Sequence, residues 1–143
     1  MDLERIRFRS GLERQVARQI TLAGHGLRYE IDKVRYLKPA KPSTYTPDFV
    51  LPNGIIVETK GLFKTEDRQK HLLIKDQYPD LDIRLVFSNS KTKIGKGSPT
   101  TYAMWCESKG FKYADKWIPR EWFEEVLEVR CIEALERLSQ KTD

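Results

Sequence analysis

The chain has 143 residues and a formal net charge of +5, from 26 lysines and arginines against 21 aspartates and glutamates. Its hydrophobic fraction of 39% suffices for a packed core, which excludes a wholly disordered chain. No apolar run approaches the roughly 18 residues of a membrane-spanning helix, and the N-terminus lacks the pattern of a secretory signal. We therefore expect one domain over residues 1–143, without a membrane partner, in the cytoplasm.

The first helix is predicted from Ser10 onward. Ser10 and Glu13 have the spacing of a capping box, and apolar residues follow at steps of three and four before Gly24 and Gly26. Residues 27–37 predict a strand, and residues 38–43, with two prolines, predict a stiff extended connector.

A hairpin is the strongest local pattern. Residues 49–51 and 55–60 are apolar strands on either side of Pro52-Asn53-Gly54, and Asn-Gly favours the positive φ angles of a tight hairpin turn. The hairpin returns Asp48 to the strand that carries Glu58 and Lys60.

The remaining pattern predicts a helix over 65–77 with Thr65 as its N-cap, a strand over 83–87, a helix over 99–109 ended by Gly110, and a helix from Pro119 to Leu138. This order indicates an α/β protein with a mixed central sheet flanked by helices. Aromatic residues at helical spacing are expected to form one core cluster, with a base-stacking platform as the alternative: Tyr102, Trp105, Phe111, Trp117 and Trp122. Cys106 and Cys131 lack metal-site spacing, so free, partly buried thiols are expected.

Asp48, Glu58 and Lys60 are the candidate catalytic residues. Alternate strand residues share a face, so Glu58 and Lys60 point the same way. Converging carboxylates repel each other unless a divalent cation compensates their charge, and hard oxygen ligands suit Mg²⁺ or Mn²⁺. Such a cation with a nearby lysine fits phosphodiester hydrolysis.

The same residues also have structural interpretations. Glu58 and Lys60 are compatible with an ordinary ion pair on one face of a strand, and an aspartate after a proline is common in turns. Glu13, as the last residue of the capping box, is expected to stabilise the helix start.

Basic residues concentrate in the first two-thirds of the chain, which suits a polyanionic partner, although a basic protein without nucleic acid has the same composition. Arg68, His71 and Lys75 fall on one helical face, one turn after Lys64. Residues 88–98 form a lysine-rich loop. The DNA-binding candidates are Arg9, Lys64, Arg68, His71, Lys75, Lys91, Lys93 and Lys96; a solvated basic face is the alternative.

Six segments in consistent order resemble phage endonuclease I, a family of Holliday-junction resolvases in the restriction-endonuclease-like superfamily. They are Phe8–Glu13, Thr44–Phe49, Leu51–Ile55, Val57–Leu62, Lys70–Ile74 and Lys96–Thr100. The resemblance covers residues 7–122, whereas residues 123–143 form a divergent C-terminal helix in place of a basic tail.

This resemblance implies a restriction-endonuclease-like core and an Mg²⁺-dependent endodeoxyribonuclease, with no organic cofactor, that resolves four-way junctions and other branched DNA. It implies metal binding by Asp48, Glu58 and the backbone carbonyl of Thr59, catalysis assisted by Lys60, and a place for Glu13 in the site. It further implies a homodimer that exchanges segments through a strand and connector like residues 36–45, and action in the host cytoplasm if the chain is phage-encoded.

Two other functions remain open from the residues. A nuclease with the same core could act on linear duplex DNA, and a branched-DNA-binding module could keep the acidic cluster without catalysis. Cleavage of junctions compared with linear DNA, with and without divalent metal, separates the three.

Overall fold

The computed structural model describes residues 3–38 and 41–140 of the chain. Helix α1, Gly11–Leu22, begins after Ser10, whose side chain accepts the Glu13 backbone N–H while the Glu13 carboxylate accepts the Ser10 N–H. The predicted capping box is thus confirmed. The buried face of α1 includes Val16 and Ile20, as the apolar spacing predicts.

Two short strands, β1 (Val34–Leu37) and β2 (Pro42–Tyr45), form an antiparallel hairpin. The prediction of one strand over 27–37 and an extended connector over 38–43 is therefore wrong in its bounds. Only Tyr29 of the earlier part makes a bridge, to Phe49. The connector turns back on itself because the backbones of Lys38 and Lys41 exchange hydrogen bonds of 2.9 and 3.2 Å; the prolyl residue Pro39 lies outside the described residues.

The second sheet has four strands: β3 (Phe49–Val50), β4 (Ile56–Lys60), β5 (Ile83–Phe87) and β6 (Tyr113–Asp115), in that spatial order. β3 pairs with β4 antiparallel, whereas β4 with β5 and β5 with β6 pair parallel. The predicted mixed α/β fold is confirmed. The sequence did not indicate β6, because three residues at a sheet edge carry too short a pattern.

The turn between β3 and β4 has the geometry that Asn-Gly predicts. The Leu51 N–H donates to the Ile55 carbonyl at 2.8 Å, and Gly54 adopts φ +87°. A Cβ atom on Gly54 would lie 2.9 Å from Cγ1 of Ile132 in the C-terminal region. Glycine therefore meets both a backbone and a packing requirement here.

Helix α2, Thr65–Gln77, matches the predicted range, but Lys64 occupies the N-cap position that was predicted for Thr65. The Thr65 hydroxyl instead accepts a hydrogen bond from Arg68. Helix α3, Tyr102–Lys109, begins three residues after the predicted Pro99, because Thr101 caps it by accepting the Met104 N–H. Gly110 ends α3 in the left-handed conformation, as predicted.

The C-terminal region contains two helices, α4 (Arg120–Glu124) and α5 (Val129–Gln140), rather than the single predicted helix. Glu125 is extended, with φ −63° and ψ 143°, and its carboxylate binds the buried guanidinium of Arg84 on β5. This tertiary contact holds the chain out of helical geometry. Helix α5 then packs on the body, where Ala134 and Leu135 share a buried cluster with Val34, Tyr36, Val50 and Ile56.

The aromatic residues do not form the one core cluster expected. Tyr102, Trp105 and Phe111 are buried together, Trp122 is buried in a different cluster, and Trp117 is 50% exposed. Both cysteines are free and buried, as expected. No helix in the described part of the chain is long and apolar enough to cross a membrane.

Candidate active site

The site forms on the β3 side of β4, where the pairing of β3 with β4 ends at Phe49 and Val57 and leaves Glu58–Lys60 without a strand on that side. On its other side, β4 remains paired with β5. Asp48 takes the unpaired place with its side chain. The backbone N–H and the hydroxyl of Thr59 both donate to Oδ2 of Asp48 at 3.0 Å. In return, the Asp48 N–H donates to Oε2 of Glu58 at 2.7 Å. The hairpin thus joins the two carboxylates, as the sequence predicts.

The electrostatics of this pair favour a cation. Asp48 and Glu58 are 8% and 3% exposed, so water screens their charges poorly. Burial, followed by the negative charge of Glu58, raises the pKa of Asp48 to about 8. Burial also raises the pKa of Glu58, although Lys60 acts in the opposite direction. The residues present therefore fit a divalent metal, whose positive charge would lower the free-energy cost of ionising both buried carboxyl groups.

Glu13 has the capping role and also lies at this site. Its Oε1 accepts the N–H of Arg9 at 2.6 Å and the hydroxyl of Tyr29 at 2.9 Å, in addition to the capping bond from Ser10. An oxygen of Glu13 lies within 4.8 Å of oxygens from Glu30 and Asp48. The structural interpretation of Glu13 and its place in the site are thus compatible.

Glu30 joins the acidic cluster although the sequence reasoning missed it. Its backbone N–H donates to the Asp48 carbonyl at 3.1 Å, and its carboxylate pairs with Arg9 at 3.1 Å. Glu30 adopts φ +53°, an uncommon conformation for a residue with a side chain. An isolated glutamate in a region without periodicity carries no signal of this placement, apart from its position after Tyr29.

Two lysines supply positive charge. The Lys60 ammonium lies 3.5 Å from Oδ1 of Asp67 on α2, with its side chain 15% exposed. Lys70, which the sequence reasoning did not single out, lies 5.6 Å from the ring centroid of Tyr45. Burial and then the charge of Lys60 lower the pKa of Lys70. The charges of both lysines act on Glu58 and oppose the rise of its pKa.

Tyr45 is fully buried at the edge of the site. Its hydroxyl has no hydrogen-bond partner of normal geometry among the described residues. Burial, followed by the nearby charge of Glu58, raises the pKa of Tyr45 well above its usual value. Tyr45 thus contributes an uncharged polar group beside the carboxylate pair.

The structure divides the residues predicted to bind DNA. His71 is completely buried among aromatic rings, and burial lowers its pKa well below the usual range, so it is an uncharged core residue that does not reach a phosphate. Arg68 is 9% exposed and donates to the Phe63 carbonyl at 2.6 Å. His71 and Arg68 thus pack into the body and do not form a basic surface, which corrects the expectation for both residues. Lys75 is exposed, although its ammonium is engaged by the Gly110 carbonyl.

The other candidates are exposed: Arg9, Lys64, Lys91, Lys93 and Lys96. The loop over 88–98 is held by a bridge between Lys93 and Thr101 and by the Asp115 carboxylate, which accepts the N–H and hydroxyl of Ser90. Its lysines are thus displayed on an anchored loop.

A buried carboxylate pair beside a lysine, presented by a mixed sheet in a basic chain, is compatible with a nuclease. The comparisons with known proteins establish that class, the hydrolases that cleave DNA. Within that class, the model of the family described as phage endonuclease I matches residues 3–142, and the chain belongs to that family.

Two phage proteins are similar to the chain over most of its length. It is 59% identical over 118 residues to Endonuclease I of Escherichia phage T7, a match that covers 82% of this chain and 79% of the relative. It is 55% identical over 112 residues to Endodeoxyribonuclease 1 of Enterobacteria phage T3, covering 78% and 74%.

Proposed function

We propose that this protein is a structure-selective endonuclease that resolves four-way junctions and other branched DNA by Mg²⁺-dependent phosphodiester hydrolysis. The observation that carries the proposal is the buried pair of Asp48 and Glu58, joined through backbone N–H groups beside Lys60. Membership of the phage endonuclease I family supports cleavage of DNA and the choice of branched substrates.

Asp48, Glu58 and the backbone carbonyl of Thr59 would hold the metal, and Mn²⁺ should replace Mg²⁺ because both accept hard oxygen ligands. The bound cation would polarise the scissile phosphate and lower the pKa of a water molecule. The oxygens of Glu13 and Glu30 lie within 4.8 Å of Asp48 oxygens, which supports their facing the same ion or a second one.

The protein's own residues position the reacting groups. Asp48 is fixed by the two donors of Thr59, so its second oxygen remains free of those bonds. Lys60 is anchored by Asp67 and is close enough to Glu58 for its charge to lower the pKa of that carboxyl group. It can there stabilise negative charge that grows on the phosphate oxygens. Burial of the pair excludes competing solvent.

We further propose a segment-exchanged homodimer with a restriction-endonuclease-like core, in which Glu13 of one chain completes the site of the other. The β1–β2 hairpin, which reverses at Lys38 and Lys41, is the element that would open. Two sites in one dimer suit paired cuts on a four-way junction, recognised through shape and backbone contacts.

The direct test is cleavage of a synthetic four-way junction with Mg²⁺ or with EDTA. Glu58→Gln and Lys60→Ala should each reduce cleavage by at least about a hundredfold, the size expected for a catalytic acid–base or electrostatic group. Lys112→Ala is the matched control, because Lys112 is an exposed lysine elsewhere on the surface. Full activity of either site variant would disprove the assignment.

The same assay distinguishes the alternatives. Linear duplex cut as fast as the junction would indicate a general nuclease. Junction binding without cleavage in any divalent metal would indicate a binding module. Preferential, metal-dependent cleavage of the junction is the expected result.

A further inference from the structure

A groove that faces away from the core runs along the outer face of α1. It has a volume of about 600 Å³ and is lined by Gly11, Arg14, Gln15, Arg18, Gln19, Leu22, Ala23 and Trp117. No carboxylate is among these lining residues. The groove begins at the first turn of α1, but its lining residues lie on the outer face of that helix, whereas Glu13 lies on the buried face.

Trp117 forms one wall, and its side chain is half-exposed. Gln15 donates to the Lys116 carbonyl at 3.0 Å. Gln19 donates to the Ile118 carbonyl at 2.8 Å and accepts the Ile118 N–H at 2.9 Å. These bonds clamp the backbone on both sides of Trp117 to α1. The indole is thus a solvent-facing aromatic surface on an anchored backbone, unlike Trp105 and Trp122, which are each 7% exposed.

The opposite wall is positively charged. Arg14 and Arg18 are four residues apart on α1, so their side chains are neighbours on one face of the helix. Arg14 lies over the ring of Phe8 at 5.6 Å and keeps its charge available. Within residues 3–38 and 41–140, Arg18 has no ion-pair partner.

We propose that this groove binds an unpaired DNA strand, with a base stacked on Trp117 and the adjoining phosphates paired with Arg14 and Arg18. Cationic grooves with rigid aromatic surfaces are the general means of holding single strands without sequence preference. A duplex backbone favours cations alone, since its bases are already stacked and offer no face to an indole. The exposed apolar residues Leu22 and Ala23 at the end of the groove also suit a base better than a phosphate.

This inference rests on the proposed function only in that branched DNA supplies unpaired strands. Binding itself requires neither metal nor cleavage. The experiment therefore uses the full chain in EDTA, where failure of the catalytic assignment has no effect. Glu58→Gln, which should be inactive, is expected to bind the probe as wild type does.

The probe is a fluorescently labelled oligothymidylate, with affinity measured by anisotropy and base contact by quenching of tryptophan emission. Trp117→Leu should weaken binding about tenfold and remove the quenching, because one base–aromatic stack is worth about 1–3 kcal/mol. Trp117→Phe should restore most of the affinity, since phenylalanine also stacks. An abasic strand of equal length and charge should bind wild type about as weakly as oligothymidylate binds Trp117→Leu.

A second set of variants tests the arginine wall of the groove. Arg14→Gln with Arg18→Gln should weaken binding and reduce its salt dependence by about two phosphate contacts. The matched control is Arg130→Gln with Arg137→Gln, which removes the same charge from exposed positions on α5.

Three results would overturn the proposal: equal affinity for the abasic strand, quenching that persists in Trp117→Leu, or equal losses in the two arginine pairs. Tighter binding of a linear duplex than of oligothymidylate, with no effect of Trp117→Leu, would assign the groove to duplex backbone instead.

Discussion

Asp48 carries its carboxyl group in a place that favours the uncharged form unless a cation is present. Burial and the neighbouring charge of Glu58 raise its pKa to about 8, against a usual value of about 4. The two hydrogen bonds from Thr59 act in the opposite direction but do not outweigh burial. In the absence of metal, the folded protein therefore binds a proton at neutral pH that the unfolded chain releases.

The sign of the pH dependence follows. A raised pKa in the folded state contributes stability that is present below the unfolded pKa of about 4 and is lost as the pH rises through about 8. We expect the free energy of unfolding of the metal-free protein to fall from about pH 5 to about pH 9, measured by urea denaturation. Asp48→Asn should flatten the profile by removing the titrating group, whereas Asp80→Asn, at an exposed position, should not.

The affinity for Mg²⁺ should have the opposite pH dependence to the stability of the metal-free protein. The metal competes with the proton on Asp48, so its affinity should rise as the pH approaches about 8 and binding should release protons. Isothermal titration in buffers of different ionisation enthalpy measures that release. Binding without proton release at neutral pH would contradict the raised pKa of Asp48.

At this scale, sequence reasoning finds residues whose geometry is local. Glu58 and Lys60 are two apart on one strand and Asp48 is returned by a recognisable turn, so strand periodicity brings them together. Glu30 escapes it because its placement depends on a positive φ that glutamate does not signal. His71 was expected on a DNA-binding face and is buried, whereas Trp117 was expected in the core and is half-exposed. Burial of a single polar or aromatic side chain is decided by tertiary packing.

The β3–β4 turn shows how one element constrains another. Gly54 needs φ +87°, and a Cβ there would approach Ile132 of α5 to 2.9 Å. We expect Gly54→Ala to lower the free energy of unfolding by about 1–3 kcal/mol, because it adds backbone strain and displaces the helix. Gly26→Ala is the control, since a Cβ at Gly26 meets nothing within 4 Å. Equal effects of the two substitutions would contradict the packing argument.

The break between α4 and α5 depends on Arg84. Its guanidinium binds Asp82 and Glu125 and lies 5.2 Å from the centre of the Trp122 ring, with 3% of its side chain exposed. Arg84→Met should lower the free energy of unfolding by about 2 kcal/mol, because hydrogen bonds between charged groups are lost. The loss should not be larger, since the freed carboxylates can partly return to water. Thermal unfolding measures it; Arg120→Met, which breaks an exposed pair, should change little.

The elements recovered from sequence are those whose own residues specify them. Helix α1 is specified by its capping residues and by apolar residues along one face, and β5 is a continuous run of buried residues. The elements missed depend on distant partners: Val126 and Val129 continue helical spacing, yet Glu125 is held extended by Arg84. Likewise β2 forms because β1 pairs with it, although Pro42 alone favours a connector.

The β1–β2 turn divides the chain into two parts that pack against each other. Everything before it, including α1 and Glu13, packs on the sheet mainly through side chains such as Val16 and Ile20 against Phe49 and Val57. Opening the turn while an identical chain does the same would re-form every one of those contacts between partners. The proposed exchange would thus cost little in packing and would bring Glu13 to the other chain's Asp48.

Complementation tests this exchange. Glu13→Ala and Asp48→Ala chains should each be inactive alone. After unfolding and refolding together, half of the dimers are mixed, and an exchanged mixed dimer has one site with both residues intact, so nicking of a junction should return to about a quarter of the wild-type rate. If each site is built within one chain, every site in the mixture lacks one residue and no activity returns. Mixing Asp48→Ala with Glu58→Ala is the control, because both residues lie after the turn on one chain and exchange cannot separate them. Restored cleavage in the first mixture and none in the second would establish that the acidic site is shared between chains. Absence of cleavage in both mixtures would place each site within its own chain.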